Sequence, residues 1–144
     1  MENKDNGGLS RELTLEALPE NLPRVQSFVA ELLEKAACPM KTMMQIDVIV
    51  EEVFVNIAHY AYGPEHGKAA VRAEISGEPP VVTITFTDRG MPYDPLAKED
   101  PDVTLPADKR QIGGLGIFMT KKMMDSVRYE YRDGRNILTL KKKL

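Results

Sequence analysis

The order of elements in this 144-residue chain predicts an α+β domain. Three observations carry that expectation. Residues 46–63 hold Ile46, Ile49, Val50, Val53, Phe54, Ile57 and Ala61 at helical spacing, one broad apolar stripe. Residues 68–76 and 81–87 alternate or are β-branched, with Gly77-Glu78-Pro79-Pro80 between them, and read as two antiparallel strands. Residues 126–132 and 136–142 flank Asp133-Gly134, a hairpin signal.

Residues 1–8 are polar and read as a disordered N-terminus, with a single domain from 9 to 144. Leu9, Leu13, Leu15 and Ala17 alternate in part, which fits an edge strand. Pro19 and Pro23 bracket a turn, and Pro23 suits a first helical turn. Val25, Phe28, Val29, Leu32, Leu33 and Ala36 mark a helix that stops near Cys38-Pro39. A second helix covers 41–61 and carries the stripe described above. Gly63-Pro64 and Gly67 make a loop, and the strand pair follows. Residues 93–112 show no periodicity and include Pro95, Pro101 and Pro106. A connection of that length is functional or disordered. Residues 112–116, Ile-Gly-Gly-Leu-Gly, then open a helix carrying Ile117, Phe118, Met119 and Met123.

Composition narrows the function. The chain is 42% hydrophobic and 28% charged, a globular profile. Its net charge of −3 offers nothing to nucleic acid or to an anionic membrane. The lysines at 141–143 read as a solvated chain end. Cys38 is the one cysteine, which excludes an internal disulfide and a C-x-x-C site. No apolar run reaches the roughly 18 residues of a membrane span, and the N-terminus lacks a signal peptide's apolar segment, so the expected location is the cytoplasm. Two histidines leave little material for zinc or a nucleophilic triad.

Three short patterns stand out. On the central helix, Asn56 and His59 fall within about 40° of Glu52, while the apolar stripe centres about 140° away. A carboxylate, a carboxamide and an imidazole therefore share the face turned from the core, and Glu51 lies about 100° off it. By itself Glu52-x-x-x-Asn56 is the polar side of a core helix. Asp88-x-Gly90 closes a strand, as many turns do. Gly113-Gly114-Leu115-Gly116 at a helix start exposes N–H groups at the positive dipole end, which suits phosphate. Glycines there also serve helix entry and close packing. It is neither a P-loop, lacking a following Lys-Ser or Lys-Thr, nor a Rossmann fingerprint.

In this order, with a hairpin between the first two, the patterns resemble the GHKL ATP-binding fold of gyrase B, histidine kinases and anti-sigma-factor kinases. The nearest likeness is to the free-standing anti-sigma regulatory serine/threonine kinases. It is carried by E-x-x-x-N-x-x-x-x-A-Y at 52–62, D-R-G-M-P-Y-D-P at 88–95, G-G-L-G-I at 113–117 and the ending at 123–140. The resemblance implies a two-layer α/β sandwich of the Bergerat type, with a mixed, mostly antiparallel sheet covered on one face by helices. It implies ATP and Mg²⁺ as cofactors. Asn56 would hold the metal, and Glu52 would be the general base toward an acceptor serine. Asp88 would accept a hydrogen bond from the adenine amino group, with Gly90 letting the backbone approach the ring. Gly113, Gly114, Leu115 and Gly116 would line the phosphates, and 93–112 would form a lid. The implied partners are a STAS-type anti-sigma-factor antagonist, a sigma factor and a second copy of the chain.

Two positions depart from relatives. Pro92 stands where histidine kinases and gyrase carry a second glycine, a change the free-standing branch tolerates. Ile112 stands where some family kinases have an arginine; the nearest here is Arg110. Other residues read more plainly: His59 as solvent-facing or on a pocket rim, His66 as loop, Tyr60 and Tyr62 as packing. Met40, Met43, Met44, Met119, Met123 and Met124 read as core or interface filler. Two further functions fit the pattern: a non-catalytic ATP-binding partner switch, and a detached histidine-kinase ATP domain. Glu52 favours the kinase, because a pure nucleotide binder has no use for a base.

Overall fold

A computed structural model describes residues 3–5, 8–97 and 114–144 of the chain. Strands β1 (Asn3–Asp5) and β2 (Gly8–Glu16) come first, then helices α1 (Leu22–Lys35) and α2 (Met40–Tyr60). Strands β3 (Lys68–Ser76) and β4 (Val81–Asp88) follow, then helix α3 (Gly114–Met123) and strands β5 (Ser126–Arg132) and β6 (Arg135–Lys143). The sheet order is β1-β2-β3-β4-β6-β5. Every described pairing is antiparallel, so the parallel component of a mixed sheet is not found among the described residues.

Alternation decides which face of the sheet is covered. In β3 and β4 every second residue is buried: Ala69, Val71, Ala73 and Ile75, then Val82, Ile84, Phe86 and Asp88. These meet Val25, Val29, Leu32 and Leu33 of α1 and Ile46, Ile49, Val50, Val53 and Phe54 of α2 in one core. The intervening residues, such as Thr83, Thr85 and Thr87, point to the other face. Burying a residue such as Phe54, which is fully inside, stabilises the fold by about 1.5–3 kcal/mol. The predicted stripe on α2 is thus the buried one, apart from Ile57, which is half-buried.

The N-terminus differs from the sequence expectation. Residues 3–5 pair with β2, Asn3 opposite Ser10 and Asp5 opposite Gly8, where a disordered tail was expected. The unpaired backbone groups along the outer side of β2 give such a segment partners. For the same reason β2 lies inside the sheet at that end rather than at its edge. The closing hairpin turns as its sequence requires: Asp133 and Gly134 both have positive φ, 54° and 76°, the pattern of a type I′ turn. The lysines at the end do not all face solvent. Lys142 lies on the covered face of β6 and donates from Nζ to the Met123 carbonyl, at the C-terminus of α3.

Candidate nucleotide site

An open cleft lies between α2, the end of β4 and the β5–β6 hairpin. Its walls are mostly apolar, including Val53, Ile57, Phe86 and Leu138. Glu52, Asn56, Asp88 and Asn136 supply the polar groups. Tyr60, Met91 and Tyr93 at its border are 62%, 60% and 44% exposed, apolar surface without cover. Tyr60 is therefore not the packing residue expected from the sequence, whereas Tyr62 is. The Tyr62 ring fills the space beside Gly67, and its hydroxyl accepts from the Arg89 N–H.

The helical register places Glu52 and Asn56 on the cleft wall, while Glu51 is exposed and outside it. Asn56 Nδ2 donates to Glu52 Oε1 at 3.1 Å. That bond fixes the carboxamide, so the Asn56 oxygen is turned away from the carboxylate. His59 is exposed and does not line the cleft; its ring meets Tyr60 edge-on at 6.0 Å.

Asp88 ends β4 and is buried, 6% exposed. Strand alternation points it inward, and antiparallel register sets it opposite Asn136 of β6. Asp88 Oδ1 accepts from the Gly90 N–H and from Asn136 Nδ2, both at 2.9 Å. Oδ2 takes neither bond. Burial pushes the Asp88 carboxyl above its ordinary value, against the opposing pull of the Asn136 and Gly90 hydrogen bonds.

Gly90 sits in close contact with the end of α2. A Cβ there would stand 2.1 Å from the Ala61 carbonyl oxygen, at the end of α2. The glycine lets the strand exit press against that helix, and the next residue, Met91, donates its N–H to the same oxygen at 2.8 Å. The Asp88 turn and the Glu52–Asn56 helix are thereby locked together.

Asn136 and Tyr129 were absent from the sequence-based candidates. Asn136 Nδ2 also donates to the Met91 carbonyl at 2.8 Å, and its Oδ1 accepts from the Tyr93 N–H at 3.1 Å and from the Tyr129 hydroxyl. Burial raises the Tyr129 phenol further above its usual range, so it donates as a neutral hydroxyl. Gly114, Leu115 and Gly116 lie in the first turn of α3, as the glycine pattern predicts. Gly113, Arg110, Ile112 and most of the expected lid, residues 98–112, lie outside the described residues. Pro95–Ala97 forms a short 3-10 turn at the root of that segment.

Residues 15–142 match the histidine kinase-like ATPase domain family. The chain belongs to that family. Among relatives of this ATPase domain, the serine/threonine-protein kinase BtrW of Bordetella bronchiseptica is 30% identical over 95 residues, 66% of each chain. The serine-protein kinase RsbW of Listeria monocytogenes is 25% identical over 134 residues, 90% of this chain and 84% of that one. In structure, the RsbU and RsbW domains of Rv1364c from Mycobacterium tuberculosis align at a TM-score of 0.67 and 18% identity, covering 94% of this chain and 32% of that one. That likeness bears on fold, and it agrees with the expected α+β sandwich. The expected enzyme class, protein serine/threonine kinase, is the one these curated relatives carry by name. Among the described residues no helix is long and apolar enough to cross a membrane.

The residues present fit the group the family uses. Asp88 Oδ2 and the apolar walls suit an adenine ring with its donor amino group. Among the described residues no cluster of three acidic, histidine or cysteine side chains could hold a metal ion. A hard cation here would need phosphate oxygens beside the one carboxamide oxygen of Asn56, the usual manner of Mg²⁺ with nucleotides.

Proposed function

We propose that this chain is an ATP-dependent protein serine/threonine kinase of the anti-sigma regulatory type. It transfers a phosphoryl group to a serine of an anti-sigma-factor antagonist, sequesters a sigma factor, and works in the cytoplasm as a homodimer. The observation that carries the reading is the Asn56-to-Glu52 hydrogen bond on the cleft wall. It sets a carboxylate one helical turn from a carboxamide oxygen suited to Mg²⁺. A bound Mg²⁺ would neutralise phosphate charge; the chain's own residues supply the rest. Asp88 would hold the adenine amino group, and Asn56 would hold the metal. Gly113, Gly114, Leu115 and Gly116 offer backbone N–H groups to the phosphates. Glu52 takes the proton from the acceptor serine as its oxygen bonds to the terminal phosphorus and the bond to ADP breaks. Phosphoryl transfer needs mainly positioning and charge neutralisation, so this short set suffices.

Kinship to kinases named RsbW and BtrW supports the acceptor class. The test is incubation of the chain with labelled ATP and the antagonist proteins encoded near it. Label on an antagonist serine supports the reading. ATP binding without transfer to any of them would leave a nucleotide-binding partner switch instead.

A further inference from the structure

We propose that Asn136 and Tyr129 form a positioning latch, which holds the Asp88 carboxylate and the backbone at Tyr93 as one unit; this rests on the adenine-nucleotide reading of the cleft. Neither residue is assigned as a nucleotide contact. They act through Asp88 and through the chain that leaves β4.

A buried carboxamide is costly unless its donors and acceptor are matched. Asn136 is 7% exposed and matched on both sides. Its Nδ2 faces Asp88 Oδ1 at 2.9 Å and the Met91 carbonyl at 2.8 Å, both acceptors. Its Oδ1 faces the Tyr93 N–H at 3.1 Å and the Tyr129 hydroxyl, both donors. A flipped amide would set donor against donor and acceptor against acceptor, so the partners fix the orientation. The Tyr129 hydroxyl closes the ring, because it also accepts from the Tyr93 N–H at 3.3 Å.

One side chain therefore reads three places at once: the carboxylate at 88, the carbonyl at 91 and the amide at 93. With Oδ1 of Asp88 held by Asn136 and Gly90, Oδ2 is the oxygen left for a ligand's amino group. The same bonds set the path of the segment that runs on to the turn at Pro95–Ala97. Selectivity for the amino group and the geometry of this exit are thus coupled through Asn136. Tyr129 strengthens the exit half and leaves the Asp88 half to Asn136.

Two readouts test this on the full chain. Calorimetry compares ATP with purine riboside triphosphate, the analogue lacking the amino group, and hydrogen exchange follows the Tyr93 amide. Wild type should prefer ATP by about tenfold or more, the scale of one hydrogen bond to a charged group. Asn136→Ala should shrink that preference toward unity and expose the Tyr93 amide. Tyr129→Phe, the milder change, should keep the fold and most of the preference while the Tyr93 amide exchanges about tenfold faster. A residue serving stability alone would weaken both nucleotides equally and leave the ratio intact. An unchanged ratio in a folded Asn136→Ala, or unchanged Tyr93 exchange in Tyr129→Phe, overturns the latch. If Asn136→Ala does not fold, the exchange result for Tyr129→Phe decides alone. If wild type binds no ATP, the nucleotide reading fails instead, and Tyr93 exchange still decides whether the latch exists.

Discussion

Asn56 Nδ2 donates to Glu52 Oε1 at 3.1 Å, so two side chains one helical turn apart are held in fixed relation on the cleft wall. The bond turns the Asn56 oxygen away from the carboxylate, the orientation that the proposed Mg²⁺ role requires. Asn56→Ala should remove the metal dependence of ATP binding. Wild type should bind ATP more tightly with Mg²⁺ than with a chelator, and the variant should bind about equally in both. Calorimetry under the two conditions checks it. A variant with full Mg²⁺ dependence would show that the metal is held elsewhere.

Asp88 gives a pH prediction with opposite signs for stability and binding. Burial raises its folded carboxyl above the ordinary 3.8, whereas the unfolded chain keeps the ordinary value. The native state therefore favours the protonated form. Asp88's contribution to stability is greatest below the unfolded value and is lost as pH rises through the folded one. Asp88→Asn should raise the melting temperature of the ligand-free protein at pH 7. The same change should weaken ATP by about 1.5–3 kcal/mol, the worth of a hydrogen bond to a charged group. In wild type, ATP affinity should fall on acidification at a pH above that of an ordinary aspartate. GTP should bind far less well than ATP, since its carbonyl oxygen would face the carboxylate. Equal ATP and GTP affinity would remove Asp88 from the adenine site.

Gly90→Ala tests the junction of strand and helix. The added methyl would stand 2.1 Å from the Ala61 carbonyl oxygen and 2.7 Å from its Cβ, so the strand exit must move off α2. Overpacking of this kind costs about 1–3 kcal/mol, and backbone offers little give. Chemical denaturation should show the loss, and ATP affinity should fall with it, because Asp88 moves with the turn. A denaturation midpoint equal to wild type would contradict the contact.

Lys142 and Lys141 separate a helix cap from a solvated charge. Lys142 reaches the last carbonyl of α3, and Lys141 is exposed on the uncovered face. Lys142→Ala should cost about 0.3–1 kcal/mol, the usual worth of a cation at a helix C-terminus. Lys141→Ala should cost less than Lys142→Ala. Equal effects of the two changes in urea would make both part of the general charge.

Local pattern made most of the fold legible. The α2 stripe has a clean helical period, and the strands at 68–76 and 81–87 alternate, so their buried faces follow from sequence. The same period put Glu52 and Asn56 together and Glu51 apart. What was hidden depends on register between distant segments. Asn136 lies 48 positions from Asp88, and only the pairing of β4 with β6 sets them opposite each other. Within its own strand, Asn136 looks like a polar residue after a turn. Gly90 was visible as a glycine, but its neighbour Ala61 comes from a helix end whose position the sequence does not state. Residues 3–5 carry no strand pattern, so their pairing with β2 was not visible in the sequence. Lys142 sits in a run of three lysines, and its burial comes only from strand alternation.

Glu52 is proposed as the general base for transfer to a serine hydroxyl from ATP held in this cleft. The direct measurement is the rate of label transfer from ATP to the antagonist, beside ATP affinity, for wild type, Glu52→Gln and Glu51→Gln. Glu52→Gln should keep ATP affinity nearly intact and slow transfer by about 10²-fold or more, the usual size of a general-base contribution. Glu51→Gln, outside the cleft, should leave both quantities near wild type. Transfer by Glu52→Gln at the wild-type rate, or a larger loss in Glu51→Gln, would contradict the account.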